Sequence, residues 1–228
     1  EGKPLGDDDL SQHQNDLGFR LAAACLSLCH NSSIVKVDGN WEALGDPTDS
    51  ACAVAGWKIN GDVQKFAQRH SRLHEFFFDT KRKRMSVIHE YEGERWVFSK
   101  GGAGGYINLV EWKIKGDEIV PIETSDFDKA AEANKDMAGK AMRILALCAR
   151  RLDDDEDIYD LEKIESGLIF LGLIGIMDPP RPEVKSAIEI CQKAGIKVKM
   201  ITGDQQFTAT AIGKELGITD GGIPAVNG

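Results

Sequence analysis

The sequence predicts an α+β fold of helices and antiparallel strands that continues into a piece of a doubly wound α/β domain. The antiparallel part rests on residues 75–100, where apolar residues recur at every second position and a Glu92-Gly93-Glu94 turn lets the chain run back. The doubly wound part rests on residues 182–216, which have the pattern of helix, strand, loop and helix. Ligands in such folds bind at the carboxyl ends of the strands.

The composition is that of a globular protein: 228 residues, of which 42% are hydrophobic, can bury a sizeable core. With 28 Lys and Arg against 37 Asp and Glu, the formal charge of −9 argues against general attraction to nucleic acid or to an anionic membrane. The longest apolar run, 167–177, is about half the ~20 residues that cross a bilayer, and the first residues are not apolar. We therefore expect a soluble chain with no nucleic-acid partner and no direct membrane contact.

No metal site is predicted. The five cysteines are odd in number and contain no Cys-x-x-Cys pair, so they indicate neither a zinc site nor a disulfide framework. Cys25 and Cys29 lie one helical turn apart in an apolar segment and are expected to be buried thiols. The acidic run 153–157 predicts a solvated loop, because adjacent carboxylates repel one another.

Two helices are predicted before the strands. In residues 16–29 apolar side chains recur at spacings of four, four and three, which is typical of an amphipathic helix. A second helix is predicted after Asp46, because Pro47 suits its first turn. Its expected buried side comprises Ala51, Val54 and Ala55.

Three further elements and a break follow the hairpin. A polar helix is predicted over 126–140, capped by Ser125 or Asp126, and strands over 142–148 and 167–177. Asp178, Pro179 and Pro180 then break the chain, and form either a stiff link between two bodies or a loop before a helix. The helix begins near Pro182, ends at Gly195, and is expected to face inward with Val184, Ala187, Ile188 and Cys191.

Thr202, Gly203 and Asp204 follow a predicted strand over 196–201. A glycine at a strand end lets the backbone approach a phosphate, and the next helix offers unpaired N–H groups. Asp204 could equally be an ordinary helix cap. The tripeptide alone therefore leaves both interpretations open.

Two clusters in the hairpin region are candidates for binding an anion. Lys81-Arg82-Lys83-Arg84 follows the predicted strand Phe76-Phe77-Phe78 and indicates a solvated turn, a localisation signal or a phosphate site. Lys100 precedes a run of four glycines within five residues, which suits a flat or charged ligand, or else is a flexible hairpin exit. Its spacing is not that of a Walker motif, so a P-loop enzyme is disfavoured. Phe78 is either a core residue or an exposed ring.

Taken in order, seven segments resemble the P-type ATPases, most closely the type II branch that includes calcium pumps and the sodium/potassium pump. The segments are Cys29-His30-Asn31, Gly45-Asp46-Pro47-Thr48-Asp49, Phe78 with Lys81 to Val87, Lys100-Gly101, Met142 to Leu147, Met177 to Val184, and Met200-Ile201-Thr202-Gly203-Asp204. Each is weak alone, but their order over nearly the whole chain makes chance similarity improbable.

The resemblance implies a nucleotide-binding domain over 1–178, built on an antiparallel sheet flanked by helices. It implies a partial Rossmann-like phosphorylation domain of haloacid-dehalogenase type over 179–228, with the hinge at Asp178, Pro179 and Pro180. ATP is the implied ligand, and Mg²⁺ the cofactor of the full-length protein. The implied partners are the remaining phosphorylation, actuator and transmembrane domains of the same pump, at the cytoplasmic face of a membrane.

The site residues are likewise implied by the resemblance. Phe78 would stack on adenine, Asp49 beside Thr48 would hydrogen-bond the base, and Lys100 would border the pocket. Lys83 and Arg143 would face ribose and phosphates, and Thr202, Gly203 and Asp204 would contact the γ-phosphate when the two domains close.

The chain departs from the family pattern at three places. Asp49 stands where glutamate is usual, and Lys100-Gly101-Gly102-Ala103-Gly104 replaces Lys-Gly-Ala-Pro-Glu. Thr80 aligns with a phosphate-binding arginine of calcium pumps, for which Lys81 or Arg82 is a substitute. Neither Asp-Lys-Thr-Gly-Thr nor Gly-Asp-Gly-x-Asn-Asp occurs. We therefore expect this stretch to bind ATP without forming an acyl phosphate.

Two other classes of protein are alternatives to a pump fragment. A soluble haloacid-dehalogenase-type phosphatase is disfavoured, because its nucleophilic aspartate motif is absent and the basic cluster lies in a large non-Rossmann insertion. A nucleotide-binding regulatory module differs only in what the gene encodes on either side. Flanking apolar spans of ~20 residues together with Asp-Lys-Thr-Gly-Thr would identify the pump.

Overall fold

A computed structural model describes residues 13–140, 142–177, 181–202 and 206–219. Its helices are α1 Leu17–Leu28, α2 Pro47–Asn60, α3 Val63–Arg69, α4 Thr124–Ala138, α5 Leu161–Ile164, α6 Pro182–Lys193 and α7 Gln206–Glu215. Its strands are β1 Ser33–Val37, β2 Asn40–Leu44, β3 Arg72–Asp79, β4 Arg84–Tyr91, β5 Glu94–Gly101, β6 Val110–Lys115, β7 Glu118–Pro121, β8 Arg143–Leu152 and β9 Leu168–Ile176. The expected opening loop over 1–12, the hinge Asp178-Pro179-Pro180, and Gly203 and Asp204 lie outside the described residues.

The chain forms two units. The first comprises the described residues up to Ala130 together with Leu145–Ile174, and the second comprises Ala131–Ile144 together with the described residues from Gly175 onward. None of the helices in the described ranges is long and apolar enough to span a bilayer.

Seven strands form the main sheet in the order β3-β4-β5-β8-β9-β6-β7. The pairs β3/β4, β4/β5, β5/β8 and β6/β7 are antiparallel, whereas β6/β9 is parallel. The predicted antiparallel sheet is therefore corrected to a mixed one. The reason is the connection from β6 to β9, which is long enough to contain α4 and β8 and so permits a parallel return. Strands β1 and β2 form a separate antiparallel ribbon.

The predicted hairpin is confirmed as β4 and β5. Glu92 and Gly93 form its turn with φ of 55° and 82°, and Tyr91 pairs with Glu94. Two positive φ values give a turn whose twist matches that of the strands, which explains why the loop is one residue shorter than predicted. The core of this unit contains Ile88, Val97, Tyr106, Val110, Ala146, Cys148, Leu152, Ile164 and Leu168.

Helices α1 and α2 confirm the predicted elements, but the buried side predicted for α2 is wrong. Val54 is 40% exposed, while the buried residues of α2 are Cys52, Ala53 and Gly56. A Cβ on Gly56 would lie 2.7 Å from Ser27 Oγ and 2.9 Å from Ser27 Cα of α1. Because α2 approaches the backbone of α1 so closely, its small residues face inward rather than Val54.

Two other boundaries differ from the predictions. Helix α4 begins at Thr124, so Asp126 lies in its first turn, where its carboxylate accepts a hydrogen bond from the Glu123 N–H at 2.9 Å. Strand β8 extends beyond 142–148 as far as Leu152, because it pairs with β5 along that length.

In the second unit, α6 confirms the helix predicted from near Pro182, and Gly195 follows its end with a φ of 78°. Ile188 is buried, as predicted. Ala187 is exposed, so its predicted inward position is wrong. The predicted strand over 196–201 is also wrong, since those residues have no strand pairing in the described part of the chain. A strand is stabilised by backbone hydrogen bonds to a neighbour, which an apolar and β-branched sequence does not supply by itself.

We expect Gly56→Ala to lower the free energy of unfolding by about 1–3 kcal/mol, because the new methyl group overpacks α2 against Ser27. Gly18→Ala is the matched control, since its Cβ would meet Ile114 at an ordinary 3.5 Å. The control should be neutral or stabilising by up to about 1 kcal/mol. Urea unfolding measures both, and equal values for the two variants would contradict the close helix contact.

Candidate functional site

An ion pair between a buried lysine and a half-buried aspartate lies in the first unit. Lys100 is near the end of β5 and 4% exposed, and its Nζ lies 2.5 Å from Oδ1 of Asp49. Oδ2 of Asp49 accepts a hydrogen bond from the Asn31 N–H at 2.9 Å. The structure thus brings together three of the seven segments that the sequence singled out.

The first turn of α2 places Thr48 and Asp49. The Asp46 carboxylate caps the helix by accepting hydrogen bonds from the N–H groups of Thr48 at 2.8 Å and Asp49 at 3.3 Å. Pro47 takes the first helical position, where no N–H is needed. The cap fixes the direction from which the Asp49 carboxylate meets Lys100.

Lys100 keeps its charge despite its burial. Burial alone would lower its pKa, but the facing groups Cys29, Cys52 and Asp49 outweigh burial and raise the pKa above the ordinary value. Burial raises the pKa of the Cys52 thiol to about 11, so that group is neutral at pH 7. Asp49 is therefore the charged partner that holds the ammonium in place.

His30 adds a neutral ring beside this pair. Burial, followed by the Lys100 charge, lowers its pKa to about 4. Both ring nitrogens are buried and lack a hydrogen-bond partner among the described residues. Because His30 and Cys52 are neutral at pH 7, Lys100 and Asp49 supply the two opposite charges of this group.

Arg72, at the start of β3, fixes the segment that precedes the site. Its guanidinium donates to the carbonyl oxygens of Leu28 at 2.8 Å and His30 at 2.9 Å, and to Oδ1 of Asn31 at 2.8 Å. Its Nε also donates to Nε2 of His89 at 3.3 Å. Sequence reasoning missed this arginine, because an arginine in a strand gives no local sign of capping a distant helix.

Phe78 is exposed, not part of the core. The register of β3 and β4 shifts between Phe76 and Asp79, and this irregularity leaves Phe77 and Phe78 69% and 60% exposed. A strand without the extra residue would turn one of two successive rings inward. The end of β3 therefore presents free aromatic surface.

Lys83 is exposed on the turn that follows. Oδ1 of Asp79 accepts hydrogen bonds from the Lys81 and Arg82 N–H groups, each at 2.9 Å, and Lys83 has a positive φ of 54°. The Gly102 N–H donates to the Lys83 carbonyl at 3.0 Å. A Cβ on Gly101 would lie 2.4 Å from that same oxygen, so glycine is required there. The turn with Lys83 is thereby packed against the strand end with Lys100.

The basic cluster divides into two exposed and two structural cations. Arg82 pairs with Oε1 of Glu165, and Arg84 Nε donates to Oε2 of Glu165 at 2.7 Å. Glu165 is 2% exposed, while Lys81 and Lys83 are exposed. Arg82 is thus committed to Glu165, which leaves Lys81 as the exposed one of the two substitutes that the resemblance suggested. Sequence reasoning missed Glu165, because a single acid before an apolar strand gives no signal of its partners.

The remaining predicted residues lie in the second unit. Arg143 begins β8 at an exposed position, and Thr202 is exposed. Thr48, Asp49, Phe78, Lys83 and Lys100 all belong to the first unit. Within the described ranges, no group of three or more His, Cys, Asp or Glu is arranged to hold a metal ion.

Comparison with known proteins finds a match to the family model "P-type ATPase, cytoplasmic domain N" over residues 19–183. Calcium-transporting ATPase 1 of Bacillus cereus is 36% identical over 201 residues, which are 88% of this chain and 22% of that protein. The calcium-transporting ATPase of Bacillus subtilis is 39% identical over 193 residues, or 83% and 21%. Cation-transporting ATPase pma1 of Synechocystis is 35% identical over 192 residues, or 84% and 21%. The chain thus spans about a fifth of the length of these relatives.

We expect Asp49→Asn to lower the free energy of unfolding by about 3 kcal/mol, because it leaves the buried Lys100 ammonium without its counter-charge. Adding Lys100→Met removes that charge and should recover most of the loss. Glu94→Gln breaks the exposed pair with Arg151 and should leave the stability nearly unchanged. Urea unfolding at pH 7 decides, and an Asp49→Asn variant as stable as the wild type would refute the assigned role of the pair.

Acid should destabilise the fold through its buried neutral histidines. His89 is 1% exposed, its Nδ1 lies 2.7 Å from the His70 carbonyl oxygen, and burial lowers its pKa from 6.5 to about 4. Below pH 6.5 the His89 imidazole is therefore protonated in the unfolded chain, whereas in the folded chain it stays neutral until about pH 4. Stability is complete above pH 6.5 and falls as the pH is lowered.

For His89 and His30 the expected loss between pH 7 and pH 5 is about 2 kcal/mol each. His89→Gln should be less stable at pH 7 but show about half the further loss of the wild type at pH 5, when both are unfolded by urea. His13→Gln, at a side chain that is 45% exposed, is the control and should keep the wild-type loss. An unchanged acid response of His89→Gln would contradict this account.

Proposed function

Because this chain belongs to the P-type ATPase family, as its cytoplasmic domain N, we propose that it binds ATP for a pump that moves cations across a membrane. The observation that carries the proposal is the grouping, within one unit, of an exposed ring at Phe78, an exposed cation at Lys83 and the buried Lys100–Asp49 pair. An adenine nucleotide has a flat apolar base and a polyanionic tail, which suit these groups.

The base is proposed to stack on Phe78. Its ring is 60% exposed and meets no other ring among the described residues. Each Asp49 oxygen already accepts one hydrogen bond, and a carboxylate oxygen has a second lone pair for the amino group of the base. Thr48 lies beside it in the first turn of α2. Lys100 holds that carboxylate in position and borders the pocket.

The phosphates are proposed to lie toward Lys83 and Arg143, both of which are exposed. Thr202, Gly203 and Asp204 would contact the γ-phosphate when the two domains of the pump close. Mg²⁺ is usually bound by substrate phosphates and one or two carboxylates. It would therefore arrive with ATP, and other segments of the full-length protein would complete its coordination.

The pump as a whole would transfer the γ-phosphate to an aspartate and couple hydrolysis of that acyl phosphate to transport. The proposed nucleotide domain covers 1–178, and the hinge at Asp178, Pro179 and Pro180 leads to part of the phosphorylation domain over 179–228. The remaining phosphorylation, actuator and transmembrane domains would be its partners, at the cytoplasmic face of the membrane. Since Asp-Lys-Thr-Gly-Thr does not occur in the chain, the chain alone would bind ATP without turning it over.

Weak binding is expected. Stacking of a base on an aromatic ring contributes about 1–3 kcal/mol, and a few exposed charge-assisted hydrogen bonds add modestly. A total of about 4–5 kcal/mol corresponds to a dissociation constant near a millimolar.

A titration with ATP followed by NMR tests the proposal. Phe78→Ala should weaken binding about tenfold, because it removes the stacking surface. Phe77→Ala is the matched control, since this neighbouring ring is 69% exposed and has no proposed role. Lys100→Ala should also weaken binding. If Phe78→Ala binds ATP as tightly as the wild type, the stacking role is wrong, and if the wild type does not bind ATP the proposed function fails.

A further inference from the structure

Glu165 is the most deeply buried acid among the described residues and lies outside the proposed ligand contacts. Resting on the proposed function, we propose that Glu165 is a positioning residue for nucleotide binding. Through Arg82 it holds the turn after β3 in its binding shape before the nucleotide arrives.

Both carboxylate oxygens of Glu165 have partners within the first unit. Arg82 and Arg84 each pair with one of its oxygens, and the Ser86 hydroxyl donates to Oε1 at 2.6 Å. A buried carboxylate is stable only when it is paired and hydrogen-bonded in this way. With the side chain of Glu165 only 3% exposed, the two arginines are fixed at a point inside the unit.

Arg82 links Glu165 to the backbone of the candidate site. Its Nη2 donates to the Phe77 carbonyl oxygen at 2.7 Å, one residue before the proposed stacking ring. Its own N–H donates to Oδ1 of Asp79 at 2.9 Å. A single guanidinium therefore ties the end of β3 and the following turn to Glu165.

Arg84 ties the other side of the same turn. Its Nη1 donates to the carbonyl oxygens of Arg82 at 3.1 Å and Gly105 at 3.2 Å, and its Cζ lies 5.9 Å from the ring centre of Tyr106. These contacts join the turn to the loop after Lys100. Lys83, between the two arginines, is thereby presented to solvent in one conformation.

This arrangement has a functional consequence beyond folding. A turn with four consecutive cations repels itself, and without Glu165 its side chains would sample many positions. Binding would then have to order the turn at the expense of affinity. Preorganisation by Glu165 removes that ordering step, and it should affect the base as well as the phosphates because it acts on the backbone next to Phe78.

The test uses the full 228-residue chain with ATP and with adenosine, each titrated by NMR. Glu165→Gln and Arg82→Gln should each weaken both ligands about tenfold. Glu165→Gln breaks the pairs with both Arg82 and Arg84, so the double variant should be no weaker than Glu165→Gln alone, since the pair with Arg82 is already lost. In the absence of ligand, the Lys81 and Arg82 amides should exchange hydrogen about tenfold faster in both variants.

Two controls separate positioning from other effects. Arg151→Gln also removes one positive charge, from an exposed pair with Glu94, and should change neither ligand's affinity. Tyr106→Phe removes the hydroxyl that lies 2.7 Å from Ser99 Oγ, but leaves both Glu165 pairs intact. It should keep the wild-type amide exchange in the turn.

The possible outcomes are distinct. Weakened ATP binding by Arg82→Gln with unchanged adenosine binding would mean a direct charge effect and overturn the positioning role. If Glu165→Gln does not fold, Arg82→Gln decides alone, because it leaves Glu165 paired with Arg84 and Ser86. If the wild type binds neither ligand, the proposed function fails, and amide exchange still tests the turn: faster exchange supports the link to Glu165, and unchanged exchange overturns it.

Discussion

The buried pair of Lys100 and Asp49 is the constraint on which the first unit depends. An ammonium that is 4% exposed must have a counter-charge at hydrogen-bond distance, and that requirement fixes the first turn of α2 against the end of β5. The Asp46 cap, the Asn31 N–H and the Arg72 clamp on the end of α1 all serve to hold Asp49 there. The helix that carries Asp49 also lies close to α1, where a Cβ on Gly56 would lie 2.7 Å from Ser27 Oγ.

Local signals predicted much of the fold. The Glu92-Gly93 turn located the β4/β5 hairpin, and Asp46 with Pro47 located the start of α2, because turn and cap chemistry act within a few residues. The inward face of α2 was not predictable, since it depends on how closely another helix approaches. Residues 196–201, in which Lys197 and Lys199 alternate with apolar residues, were predicted as a strand, but strand formation depends on a hydrogen-bonded neighbour that the local sequence does not supply.

The candidate site likewise contains residues that the sequence indicates and residues that only the structure reveals. The motif segments pointed to Lys100, Asp49 and Phe78. Whether Phe78 is buried or exposed depends on the register shift in β3, and the alternation of residues in the sequence does not reveal that shift. The partnership of Glu165 with Arg82 and Arg84 joins residues 83 and 81 positions apart. Neither end of it has a spacing that points to the other, so only the fold reveals which cations of the basic cluster are available to a ligand.

That division of the cations bears on how the proposed nucleotide site could be both ordered and weak. Four consecutive cations in solvent would attract a polyanion strongly and without selectivity. Here two of them are turned inward onto Glu165, and Lys100 is paired with Asp49, so that of these five cations only Lys81 and Lys83 are exposed. The buried charges supply rigidity and the exposed ones supply modest attraction. Under the proposed function, the commitment of Arg82, Arg84 and Lys100 to the fold suits a nucleotide that is bound weakly and released readily.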